Sequence, residues 1–223
     1  MKLERPLTYF IKAGKEEHIN SLLNNGELCL NRMKYFANQE ADNSSIDDDK
    51  EGLWMNKGFV TIPGICKLER VENIRHSYYL FCVTGSSDNV YCEEEPYQYY
   101  YPEIPEGEMP IGDWKLLVWN PNLFCRRFYE AVRKEGLSVI SDWVKYDIKS
   151  EKQYDTGELY QPFHKRVKYY WQSEYRFCVA GDIQDDKKFL NLGPLTDIAC
   201  IMKPDKAYKM AHRFDNRYDF VSE

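Results

Sequence analysis

The residues of this chain best suited to chemistry are Gln172 and Glu174, in the run Trp171-Gln172-Ser173-Glu174-Tyr175-Arg176. They open an apolar stretch, Glu174 to Ala180, that reads as a strand. A carboxylate at a strand mouth can sit beside a sugar whose C–N glycosidic bond is loosening, where its negative charge stabilises the oxocarbenium-like transition state. A glutamine two residues earlier can hold a sugar hydroxyl or position an acceptor. A second reading stands beside this one: an alternating edge strand on which Glu174 and Arg176 share a face and pair with each other or meet solvent.

Residues so placed need a frame, and the opening of the chain supplies its first part. LTYFIK predicts a strand over residues 7–12. From Lys15 to Asn25 the apolar Ile19, Leu22 and Leu23 fall on one helical face, and Asn24-Asn25-Gly26 offers a left-handed C-terminal cap. ELCLN then predicts a second strand over residues 27–31. Further strands are predicted over residues 58–62, 76–83 and 115–119, with one bulged strand over 139–148 and closing strands over 189–192 and 197–202. The clearest helix is Pro121 to Gly136, with Pro121 in its first turn and Leu123, Phe124, Phe128, Ala131 and Val132 at three- and four-residue spacing. The charged tail reads as a last helix. Strands outnumber helices without regular alternation, so the expected fold is α+β, mostly antiparallel, with a few flanking helices. Residues 1–223 read as one domain, interrupted by an acidic loop at 39–51 and a Tyr/Pro/Glu-rich excursion at 91–110 that reads as irregular.

Composition narrows the function classes. At 43% hydrophobic and 15% aromatic residues the chain carries too much apolar surface to stay disordered. No stretch approaches the roughly 20 apolar residues of a spanning helix and the N-terminus lacks a secretory signal, so no membrane partner and a cytoplasmic location are expected. Seven scattered cysteines, without a CxxC pair, read as free thiols filling apolar runs such as YYLFCV and YRFCVA. The net charge of −6 disfavours a broad nucleic-acid surface without excluding a local basic groove, since such affinity comes from clustered Lys and Arg. The most basic window, His164 to Lys168, interleaves with aromatics at Tyr169-Tyr170-Trp171; a solvated helix face is the favoured reading of it.

The strand, the helix ending in NNG, the strand ELCLN, and then Arg32 and Tyr35-Phe36 together resemble the opening of ADP-ribosyltransferase-type domains, and Gln172-Ser173-Glu174 matches that family's late Q-x-E pattern. The resemblance implies a nicotinamide pocket built by the first two strands and NAD as the substrate. Glu174 and Gln172 would be catalytic, Tyr9 and Tyr35 would stack the nicotinamide, and Arg32 with Arg176 would hold phosphate oxygens. The family's usual His or Arg on the first strand is replaced here by Tyr9-Phe10. Over most of its length the chain also resembles a group of uncharacterised bacterial and phage-borne proteins, through LLNNGELCLNRMKYF, the acidic loop ending in KEG, LLVWNPNLF, WQSEYRF and LGPLTDIACI. That likeness suggests a phage-conflict or toxin setting.

Other constellations are weaker. His18, His76, His164 and His212 show no metal-pair spacing and read as structural or solvated. The acidic loop lacks the order of an EF-hand, so no metal site is expected, and a metal-dependent nuclease is the third reading of function. The second is a non-catalytic module binding a nucleotide, a nucleic acid or a partner protein through aromatic anchors, chiefly Tyr97 to Tyr101 among the chain's 18 tyrosines.

Overall fold

In the computed structural model, which describes residues 8–33, 35, 53–62, 66–73, 78–86, 91–94, 97–100, 114–148, 161–181, 185–202, 208–213 and 218–222, strands dominate. The first half runs β1 (Tyr9–Gly14), α1 (Glu16–Asn25), β2 (Glu27–Arg32), β3 (Leu53–Ile62), β4 (Cys66–Asn73), β5 (Tyr78–Ser86), β6 (Tyr91–Glu94) and β7 (Tyr97–Tyr100). There follow β8 (Trp114–Val118), α2 (Pro121–Lys134), β9 (Ser138–Trp143), β10 (Lys145–Ile148), β11 (His164–Arg166), β12 (Glu174–Ala180), β13 (Lys187–Asn191), β14 (Ala199–Met202), β15 (Tyr208–Arg213) and β16 (Tyr218–Ser222). The acidic loop 39–51 and most of the excursion 91–110 lie outside the described residues.

The protein is α+β with a mainly antiparallel sheet, and the main sheet has eight strands. Its centre is β5, which pairs with the whole length of β12, from Glu174 opposite Thr84 to Ala180 opposite Tyr78. The other edge of β5 forks. Its C-terminal end pairs with β1, from Tyr9 opposite Ser86 to Ile11 opposite Thr84, whereas Leu80 and Tyr79 pair with Asn31 and Arg32 of β2. β1 continues to β8 and β14, β2 continues to β13, and β9 closes the far side beyond β12.

Both helices cover one face. Phe10, Phe81, Phe124, Phe128 and Phe177 meet there among Ile19, Leu22, Leu116 and Val132, and the rings of Phe128 and Phe177 stack at 4.2 Å. α2 forms where its apolar spacing predicts: Pro121 occupies the first turn, the Asn120 side chain accepts from the Leu123 N–H, and Arg133 and Lys134 complement the dipole in the last turn. α1 ends on Gly26 at φ 71°, where a Cβ would lie 2.0 Å from the Gly193 carbonyl oxygen, so the turn into β2 requires glycine. Among the described residues no helix is long and apolar enough to cross a membrane.

Four local expectations are corrected. The tail is not a helix: β15 and β16 pair with each other, and β15 also pairs with β7, which pairs with β6. The partner that draws the tail into a sheet lies about a hundred residues earlier, in the stretch read as irregular. The expected bulged strand over 139–148 is two strands broken at Val144, β9 joining β12 and β10 pairing in parallel with β11. The basic window is not a solvated helix face, because His164 and Lys165 are buried on β11 and a 3-10 turn, Val167–Gln172, follows.

Candidate functional site

Glu174 starts β12 just after Ser173, which sits in the left-handed region at φ 42°. The neighbouring strand holds that corner: the Gly85 N–H donates to the Ser173 carbonyl, and the Ser173 hydroxyl donates to the Gly85 carbonyl. Val144 and Tyr146 fix the other side. The Val144 N–H donates to the Glu174 carbonyl, and the Glu174 N–H donates to the Tyr146 hydroxyl at 2.9 Å. The Glu174 backbone is therefore tied on both sides before its side chain does anything.

That side chain points inward and is 12% exposed. Lys165 Nζ donates to Oε1 at 2.8 Å and Arg176 Nε to Oε2 at 2.7 Å. Lys165 also donates to Gln172 Oε1 at 2.7 Å, and Arg176 Nη1 to the Pro162 carbonyl at 2.7 Å. The carboxylate is thus gripped at both oxygens by cations that are themselves buried. Burial alone would raise its pKa, but the charges and hydrogen bonds of Arg176 and Lys165 outweigh that and hold it at about 2. Burial, with the Glu174 charge beside it, raises the Tyr146 phenol, so Tyr146 stays neutral. Among the described residues, Lys165 and Arg176 share this one carboxylate.

Lys12 enters from β1 through the fork. Beyond Ile11 the pairing of β1 with β5 stops, and Lys12 Nζ reaches the Cys82 carbonyl at 2.9 Å, 4.8 Å from the centre of the Phe81 ring. Burial lowers its pKa, while the nearby Cys82 and Glu174 oppose that shift.

Of the residues singled out from sequence, Gln172, Glu174 and Arg176 come together in this cluster. Tyr9 shares their face of the sheet, because Ile11 and Glu174 flank Thr84 in register and side chains two apart point the same way. Strand spacings put Tyr9 roughly 12 Å from Glu174, and its ring is 1% exposed. Arg32 does not join them. It faces the helix-covered side opposite Tyr79, about 17 Å along β5 from Thr84, and pairs with Asp186 at 3.7 Å. Tyr35 lies past the end of β2 and is 39% exposed.

Sequence reasoning missed Lys165 and Tyr146 as site residues. Lys165 lies in a basic window, where a buried lysine looks like its solvated neighbours; the adjoining Pro162-Phe163 and Tyr169-Tyr170-Trp171 are the signal that the window is walled in. His164, next to Lys165 and pointing to the other side of β11, accepts or donates through Nδ1 at 2.9 Å from both Asp147 oxygens. Its buried Nε2 has no partner among the described residues. The described cysteines are free thiols; burial pushes Cys125, Cys178 and Cys200 up to about 12, so they remain protonated. Among the described residues no group of three or more His, Cys, Asp or Glu could hold a metal ion. Comparison with family models, with curated proteins and with solved structures returns no match to this chain.

Proposed function

We propose that this chain is an ADP-ribosyltransferase-like domain that takes NAD as substrate on the face of the sheet carrying Glu174. The observation that carries the reading is an ionised, inward-facing carboxylate at the mouth of the central β12, two residues after Gln172 and on the same face as the first strand's Tyr9. In the reaction the C–N bond between nicotinamide and ribose breaks, its electron pair leaving with neutral nicotinamide. The positive charge left on the ribose is stabilised by Glu174 until water or a macromolecular nucleophile adds at that carbon and loses a proton. A carboxylate held at about pKa 2 is charged at every physiological pH, as this role requires.

The two cations suggest a second task. A pyrophosphate is a better partner for Lys165 and Arg176 than a shared carboxylate, since guanidinium and ammonium groups bind phosphate oxygens with short, charge-assisted bonds. In this reading the dinucleotide's phosphates share those cations with Glu174, whose carboxylate stays charged beside the ribose. One observation favours the alternative of a binding module without turnover: both Glu174 oxygens are already occupied. Nicotinamide release from NAD, measured for the wild type and for Glu174→Gln with folding checked by circular dichroism, separates the two. Release by the wild type and its loss in the variant supports the enzyme. Saturable NAD binding without release supports the module, and neither binding nor release ends both readings.

A further inference from the structure

A groove lies on the opposite face of the sheet from Glu174, where α2 overhangs the edge strand β9. Its volume is about 460 Å³, within the range of small-molecule sites. Tyr175, the neighbour of Glu174 on β12, forms part of its floor, so strand alternation puts the two sites back to back.

The walls carry specific chemistry. Arg126 and Arg133 stand seven residues apart on α2, about 10 Å along the axis and on one stripe with Asn122, Tyr129 and Glu130. Neither guanidinium makes a hydrogen bond or ion pair among the described residues, whereas Arg127 between them is committed to Asp197 and to the Pro194 carbonyl. On the floor the Tyr129 hydroxyl meets Ser141 Oγ at 2.5 Å, and Ser141 Oγ meets the Tyr175 hydroxyl at 2.8 Å. Three hydroxyl protons serve two bonds within this chain, so one O–H remains to donate. Cys125, also in the lining, stays a neutral thiol and adds no competing negative charge.

We propose that this groove is a second ligand site, independent of Glu174, that takes a nucleoside monophosphate with an exocyclic amine. Arg126 and Arg133 converge on the phosphate dianion, which two forked guanidiniums bind better than a single cation does. The Tyr129 and Tyr175 rings give the base an apolar wall, with the spare hydroxyl as a donor to it. Glu130, set between the two arginines, would repel a bare anion, and its carboxylate accepts from an amino group on the ligand. The volume leaves room for more than inorganic phosphate.

The test is calorimetric titration of the full chain with AMP, adenosine, IMP and inorganic phosphate, repeated on Arg126→Ala/Arg133→Ala, whose side chains are exposed, with folding checked by circular dichroism. AMP should bind saturably at one site, with adenosine, IMP and phosphate each at least about tenfold weaker and the double variant at least about tenfold weaker for AMP. No saturable AMP binding, AMP binding that survives the double variant, or adenosine binding as tightly as AMP each overturns the proposal.

Discussion

Replacing Glu174 with Gln keeps the shape of the side chain and removes the negative charge that Lys165 and Arg176 share, their side chains being 3% and 2% exposed. Two estimates of the cost agree. Holding the carboxyl at about 2 instead of 4.5, at about 1.4 kcal/mol per pH unit, corresponds to roughly 3 kcal/mol of stability at neutral pH. Breaking a buried ion pair by removing one partner costs about 3–5 kcal/mol, because the remaining charge is left uncompensated. Urea denaturation at pH 7 reads this directly: with a slope of about 2 kcal/mol per M, the midpoint should fall by about 1.5 M. The sign with pH is also determined. The folded-state pKa is depressed, so the contribution is fully present above about 4.5 and fades as the pH falls towards about 2, and wild type and variant should converge over that window. A midpoint change below about 0.5 M at pH 7, or a gap that does not close in acid, would refute the buried cluster.

Three further outcomes test the frame around the site. Phe177→Ala empties the centre of the aromatic core, where Phe177 is 0% exposed, and should cost about 3–5 kcal/mol by the same urea measurement. Gly26→Ala forces a Cβ towards the Gly193 carbonyl at positive φ and should cost more than about 2 kcal/mol, seen as a lowered thermal midpoint. Asn120→Ala removes the cap on α2 and should cost only about 1 kcal/mol in the same assay.

What was legible in the sequence follows from how local the determinants are. α1 with its Gly26 cap, α2 with Pro121 in its first turn, and β12 are written in spacing and end signals a few residues long, and they form within a residue or two of where those signals lie. β7, β15 and β16 were missed because strand pairing is decided by distant partners, and the Pro/Glu-rich surroundings of Tyr97–Tyr100 read locally as irregular. The site divides the same way. The alternation of Glu174 and Arg176 was readable, and so was their possible ion pair. That Lys165 reaches Glu174 depends on how residues 161–172 fold back across the sheet, which no local pattern encodes. The resemblance of the opening unit, in which Arg32 follows ELCLN, joins Arg32 to Glu174, but the fork of β5 sends β1 and β2 to different ends of one strand, and Arg32 falls on the far face.

Calorimetric titration of the wild-type chain with NAD at neutral pH tests most directly whether the Glu174 face holds NAD. The expected result is saturable binding, retained in Arg126→Ala/Arg133→Ala, that weakens with added salt, as ligand phosphates held by Lys165 and Arg176 require. A flat titration, or binding indifferent to salt, would contradict it.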